Sequence, residues 1–347
     1  MIKFFSYFYS LFFPFFTSQE AKVEQIFKGL SEEEKVAQMI VTATGRLGKP
    51  KKEVVALIKN KRLGGVLLLN GSKNEFKQWV KEFNQLGKEH KAIPLLYSAD
   101  AEPSLINQKI KGTKPVKATA LIKDSADCVA VTESISKDLL DIGILHNFAP
   151  VCDISTQNEV IGKRSFGKDT LRVRSLAEIF INVSHQKGII ATAKHFPGHG
   201  YVKGDTHKKL VFIDGELKEL SIYKYLISRD VPSIMVGHIA IKNNEKYDTK
   251  GLPATCSKLI VTDLLRKELG FEGIIITDAM NMGGVKDIPN ASLEAAKAGC
   301  DMILMPENEE MLIQQILDLM EKDKAFQEQI YASVKRILRY KVALGLL

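Results

Sequence analysis

A single (β/α)8 barrel is the fold that this sequence of 347 residues predicts. Three observations carry the expectation. Eight short apolar runs recur between Ala37 and Met305, separated by stretches with amphipathic helical spacing. The runs are nearly continuous in apolar character, as parallel strands covered on both faces must be. Polar residues gather where the runs end, and that end of a barrel strand is where such folds meet their ligands. The rival is an open doubly wound sheet, which would carry a glycine-rich dinucleotide turn after its first strand; none follows Ala37–Ala43.

Residues 1–18 stand apart from the rest. Lys3 precedes thirteen residues, Phe4 to Phe16, that are almost wholly aromatic or apolar. One cation followed by a short apolar run resembles a signal peptide, too short for an ordinary spanning helix. Pro14 and the weak cleavage site at Thr17-Ser18 leave retention as a membrane anchor open. The expected location is periplasmic or secreted, with a frayed cytoplasmic extension as the alternative. Residues 19–347 then read as one catalytic domain. Ser31 before Glu32, Glu33 and Glu34 is a helix start with a capping hydroxyl and acids in the first turn. The strands expected are Ala37–Ala43, Gly65–Leu69, Pro94–Ser98, Asn147–Cys152, Gly188–Ala193, Ser233–Gly237, Gly273–Thr277 and Asp301–Met305. Leu269-Gly270 and Ala298-Gly299 read as glycine helix stops ahead of the last two. A basic amphipathic helix from Lys322 closes the chain.

Composition narrows the function classes. Hydrophobic residues at 45% and charged residues at 26% are those of an ordinary globular protein. The net charge of +8 is spread along the chain without an arginine-rich arm or zinc finger, so no nucleic-acid partner is expected. Cys128, Cys152, Cys256 and Cys300 lie singly in apolar surroundings, which suits buried reduced thiols rather than a disulfide framework.

The chemistry concentrates after the fifth apolar run. Lys194-His195-Phe196-Pro197-Gly198-His199-Gly200 is followed by Asp205-Thr206-His207, a density of ionisable groups suited to a cleft rather than a core. His195, His199 and His207 could be weighed as zinc ligands, but neither metal nor cofactor is expected. Other strand ends add Asp100 and Glu102, Asp153, His238 and Asp278. One carboxylate at a strand end can merely cap the next helix; several together point to a cleft.

These segments resemble glycoside hydrolase family 3, in its single-domain bacterial β-N-acetylglucosaminidase form. The loop Lys194–Gly200 with Asp205-Thr206-His207 is similar to that family's KHFPGHG…D-[ST]-H signature. Glu34–Met39, Asn147–Asp153, Val160–Gly167 and Ile275–Met282 resemble further family blocks in family order, covering roughly residues 30 to 345. One block departs. Where the family has D-x-EGG-R, this chain reads Asp100-Ala101-Glu102-Pro103-Ser104-Leu105, without the two glycines and the arginine.

The resemblance implies a retaining mechanism through a covalent glycosyl-enzyme, with Asp278 as nucleophile. His207 would be the proton donor, held by Asp205 on the same side of an extended loop. Asp100, Arg164, Lys194 and His195 would hold sugar hydroxyls, with His199 at the same site mainly supporting the loop. The implied substrate is a terminal N-acetylglucosaminide, from cell-wall muropeptides or related amino-sugar glycosides, processed by a monomer. A phosphorylase is the alternative, because a neutral histidine repels incoming phosphate less than a second carboxylate would. A non-catalytic sugar-binding barrel is the alternative of another class, prompted by the altered strand-three loop.

Overall fold

Eight parallel strands form the central sheet: β1 (Ile40–Thr44), β2 (Gly65–Leu68), β3 (Leu96–Ala99), β4 (His146–Asn147), β5 (Ile190–Phe196), β6 (Ser233–Val236), β7 (Ile274–Thr277) and β8 (Ile303–Leu304). Seven ladders join them in the order β7-β6-β5-β4-β3-β2-β1-β8. The remaining seam is narrow. Ile276 bridges Met302 in parallel, and the Asp301 amide donates to the Ile275 carbonyl at 2.7 Å, so the sheet curls into a barrel. This is a computed structural model, and it describes residues 19–154 and 160–347. The signal or anchor expected at residues 1–18 lies outside the described residues.

The eight runs read from the sequence correspond to these strands, with the largest shifts at three of them; the fifth, expected to end at Ala193, runs on to Phe196. Ala37 ends the helix Glu32–Ala37 instead of opening β1. The fourth strand starts earlier and is interrupted. His146 and Asn147 pair with both neighbours, and Val151 bridges Lys194 further on. Pro150 lies between and has no N–H to give a ladder; its carbonyl still accepts from the Lys194 amide at 3.1 Å.

Burial explains the pattern of the runs. Every residue of β1, β2, β3, β5, β6 and β7 is buried, the inner side by the barrel interior and the outer side by helices. The interior is packed rather than hollow. His146 sits there with Thr192 Oγ1 at 2.9 Å, and burial pushes its pKa down to about 3, so it is a neutral core residue. The four cysteines are buried and unbridged. The helix Glu32–Ala37 carries the expected cap: the Glu34 amide donates to Ser31 Oγ, and the Glu34 carboxylate accepts from the Ser31 amide.

Asp301 holds the closing seam. Its buried carboxylate accepts from the Ile275 amide at 2.7 Å, Arg266 Nη2 at 2.7 Å, Arg336 Nη1 at 2.5 Å and Ser333 Oγ at 2.8 Å. One side chain thereby ties β7 to the π-helical segment Leu259–Glu268 and to the last helix, Lys324–Ala343. A buried carboxylate is tolerated when every acceptor position is filled, as here.

Candidate active site

The site begins with an irregularity in β5. Against β6, Ala193 is opposite Ile234 and Phe196 is opposite Val236, so two residues, Lys194 and His195, face one, Met235. Such a bulge breaks the alternation of sides. Lys194 and His195 are adjacent in sequence, yet both line the same cleft at the C-terminal mouth of the barrel.

From Lys194 a line of alternating charges crosses the cleft floor. The Lys194 ammonium lies 2.6 Å from Glu102 Oε1 and 2.8 Å from Asp100 Oδ1. Arg164 grips Glu102 with two parallel hydrogen bonds, Nε to Oε2 at 2.8 Å and Nη2 to Oε1 at 2.7 Å. At the other end Lys109 Nζ donates to Asp100 Oδ2 at 2.5 Å. Burial alone would raise the Asp100 carboxyl, but Lys109 and Lys194 outweigh it and hold it well below the usual range. Burial likewise opposes the charge of Lys194, and Asp100 and Glu102 overcome it, so its pKa is raised. Glu102 is wholly buried and spent on Arg164 and Lys194; it does not reach the cleft surface.

Asp278 follows β7 directly and is partly exposed to the cleft. Its Oδ1 accepts from the Ala279 amide at 2.8 Å. Burial would raise its pKa, yet His195, His238, that amide and Lys194 together lower it, so the group is a carboxylate at neutral pH. None of the other three strand-end carboxylates is placed like this: Asp100 is held between Lys109 and Lys194, and Glu102 is buried. Asp153 is fully buried and accepts from His195 Nδ1 at 2.6 Å and from the His199 amide at 2.7 Å. It therefore fixes the His195 tautomer, leaving Nε2 without the proton on a neutral ring. His238 is equally enclosed: Nε2 donates to the Ala279 carbonyl and Nδ1 accepts from Thr255 Oγ1, both at 2.9 Å. It is a structural histidine behind Asp278.

The loop after β5 is supported from below by Glu219, which precedes the helix Leu220–Ile227. Its Oε1 accepts from the Ile154 amide at 2.6 Å and its Oε2 from the Gly200 amide at 2.9 Å. Burial, with Asp153 close by, raises its pKa to about 8. The contact explains the glycines of the loop. A Cβ at Gly198, where φ is +131°, would stand 2.4 Å from Glu219 Oε2.

Asp205 and His207 do pair, though not by the extended alternation expected. The segment is a turn: the Lys208 and Lys209 amides both bond the Asp205 carbonyl. Within it Asp205 Oδ1 accepts from the His207 amide at 2.9 Å and from His207 Nδ1 at 2.8 Å. A short Asp side chain reaching the amide two residues on is a common turn device, and here it also orients the imidazole. Nδ1 is occupied, so Nε2 is the position left for proton exchange. His207 is 62% exposed at the rim, and Asp205 has its pKa lowered, burial being outweighed by the His207 contacts.

The cleft has a volume of about 500 Å3 and brings together Asp100, Arg164, Lys194, His195, His199, His207 and Asp278. Of the expected site residues only Asp205 is not on its wall; it acts on His207 from behind. Among the described residues, no group of three or more potential ligands is placed to hold a metal ion.

Residues 31–340 match the glycosyl hydrolase family 3 N-terminal domain. The chain belongs to glycosyl hydrolase family 3. Among relatives, "Beta-hexosaminidase A" of Pseudoalteromonas piscicida is 31% identical over 84% of this chain and 55% of that protein. "Beta-hexosaminidase" of Haemophilus influenzae is 29% identical over 77% of this chain and 78% of its own length. The family 3 β-N-acetylglucosaminidase structure from Paenibacillus sp. str. FPU-7 superposes with a TM-score of 0.84 at 28% identity, covering 91% of this chain and 63% of that one. This chain thus spans little more than half of the first of these relatives.

Within this family 3 barrel, two contributors were not legible in the sequence. Glu219 acts through backbone amides from distant segments, and Lys109 lies beyond the altered strand-three block; Asp153 was visible at its strand end, but its hold on His195 and the His199 amide was not. The Gly283 and Gly284 amides form a further contact, under the turn that bears His207.

Proposed function

We propose that the protein is a retaining β-N-acetylglucosaminidase acting on terminal N-acetylglucosamine of amino-sugar glycosides. The observation that carries this reading is the convergence of an ionised carboxylate, Asp278, and an Asp205-oriented imidazole, His207, on one cleft floored by hydroxyl-binding groups. The names borne by the relatives support the same sugar.

In this reading Asp278 attacks the anomeric carbon as the glycosidic C–O bond breaks, and His207 Nε2–H protonates the departing oxygen. Asp205 stabilises the imidazolium that performs this step. Water then enters, His207 Nε2 takes its proton, and the ester-like bond to Asp278 is cleaved. Lys194, Asp100 and Arg164 orient the ring. Cell-wall muropeptide fragments are the substrate class we favour, since such fragments are anionic and the chain carries a net charge of +8. The apolar run Phe4–Phe16 behind Lys3 supports export to the compartment where such glycosides lie.

Turnover of a nitrophenyl N-acetyl-β-glucosaminide with and without phosphate tests the reaction. Release of free sugar, independent of phosphate, is expected. Sugar phosphate would make the protein a phosphorylase, and no turnover would make it a binding barrel. Asp278→Asn should fold and lose several powers of ten in rate.

A further inference from the structure

The family block D-x-EGG-R is altered here, and a lysine further along the chain lines the cleft beside Asp100. Leu105, where the pattern has arginine, turns an apolar side chain to the cleft. One helical turn later, Lys109 reaches the same wall. Its ammonium is 2.5 Å from Asp100 Oδ2 and remains 24% exposed, whereas Lys194, on the other oxygen of the same carboxylate, is 2% exposed. An ammonium has three N–H donors. Lys194 divides its donors between Asp100 and Glu102 and is enclosed; Lys109 contacts one carboxylate and presents its remaining donors to the cleft.

Lys109 is not carried on a loose loop. The Asn107 side chain donates to the Thr113 and Lys114 carbonyls and accepts from the Val116 amide, bracing the short helix Ile106–Lys109. The next residue, Ile110, pairs with Gly71 in a short parallel ladder beyond β2. The backbone on both sides of Lys109 is therefore fixed, and the four-carbon stem delivers the charge to one place.

We propose that Lys109 is a sugar-binding, specificity-determining residue, whose free ammonium donors, beside the acceptor Asp100, select a glycoside with a ring hydroxyl at that wall. A carboxylate accepting and an ammonium donating side by side fit a hydroxyl that both gives and receives a hydrogen bond. A site built this way rejects an analogue lacking the hydroxyl more strongly than an apolar wall can, because its charged groups lose a partner. The inference rests on the reading of the cleft as a glycoside site.

The test uses the full chain, the variants Lys109→Met and Lys109→Arg, and nitrophenyl N-acetyl-β-glucosaminide with its 3-, 4- and 6-deoxy analogues. In the wild type, loss of one of these hydroxyls should lower kcat/KM by about tenfold or more, the scale of a hydrogen bond to a charged group. In Lys109→Met the parent substrate should fall by a similar factor, and removing that same hydroxyl should then cost little. Lys109→Arg should restore most of the discrimination. If Lys109→Met ranks the four substrates as the wild type does, however slow it is, Lys109 merely holds Asp100 and the proposal fails. Lys109→Gln, which keeps a polar tip without charge, serves if the methionine variant does not fold. Binding of the four corresponding free sugars, followed by NMR titration, repeats the comparison without turnover. A wild type that discriminates in binding but does not hydrolyse overturns the glycosidase reading and supports this one; a chain that binds none of the four overturns both.

Discussion

The Gly283 amide donates to the carbonyl of His207 at 3.0 Å, and beside it the Gly284 amide donates to that of Thr206 at 2.9 Å. Through these two bonds the turn bearing His207 rests on the segment that follows Asp278. The proposed nucleophile and the proposed proton donor come from different strand ends, 71 residues apart, yet their loops share a backbone seam.

That seam demands glycine. A Cβ at Gly283 would stand 2.4 Å from the carbonyl carbon and oxygen of Lys208, both backbone atoms that cannot swing aside. Gly283→Ala should therefore push the 206–208 turn away without unfolding the barrel. Displacing a reacting group by about 1 Å can cost on the order of a hundredfold, and kcat on the aryl glycoside should fall on that scale. Wild-type kcat in a correctly folded Gly283→Ala would disconnect this turn from catalysis.

Glu219 makes a similar demand on the loop Phe196–Gly200. Two amides, from Ile154 and Gly200, converge on its two carboxyl oxygens. In Glu219→Gln one of those oxygens becomes an NH2 facing an N–H, leaving a buried donor unpaired at a cost of about 1–3 kcal/mol. Urea unfolding should show a loss of that size, together with reduced turnover, because Asp153 and the His199 amide lie on the same support. Unchanged stability would mean the loop is held elsewhere.

How far the sequence reached follows from the range over which each group acts. Asp278, Lys194 and His195 were legible because a strand end is a local feature and the runs before them are strongly apolar. The Asp205–His207 pair was legible as a pair, while its geometry was not: spacing of two fits both a strand and a turn, and Asp205 chose the turn through its own side chain. Glu219 gave no local sign, since it is defined by amides 19 and 65 residues away; Asp153 stood out at its strand end, but its partners, 42 and 46 residues on, did not. The β5 bulge that turns Lys194 and His195 to one side is set by the register with β6, which no single segment encodes. Pro150 was visible, and its interruption of the fourth strand follows from the missing N–H.

At the opposite end of the barrel, Lys341 is buried with neutral partners only, Gln38 Oε1 at 2.7 Å and the Gly64 carbonyl at 2.8 Å. Burial lowers its pKa to about 7 from the ordinary 10.5. Between those two values the unfolded chain binds a proton that the folded chain does not, so stability rises with pH across the window and is lost as pH falls through about 7. Lys341→Met removes the titration. The stability difference between wild type and variant should shift in favour of the wild type from pH 7 towards pH 9, by up to about 1.4 kcal/mol per unit. A difference that stays flat would mean Lys341 remains charged in the fold. The absolute effect of the variant is a separate matter, because methionine also leaves two acceptors unpaired.

His207 is tested by the need of the leaving group for a proton. An alkoxide departing from a disaccharide requires one; a nitrophenolate is already stable as an anion. His207→Ala should therefore lose about 10²–10⁴-fold on a disaccharide and far less in the glycosylation step of a nitrophenyl glycoside. That step must be read from the burst of nitrophenolate, since water attack on the glycosyl-enzyme also uses the imidazole, now as base. Asp205→Asn should follow the same pattern more weakly: the amide can still accept from Nδ1–H, but it supplies no charge to stabilise the imidazolium. Equal losses on the two substrates would make His207 a sugar-positioning group. The donor would then have to come from another cleft residue, and Glu102 is ruled out by its burial against Arg164 and Lys194.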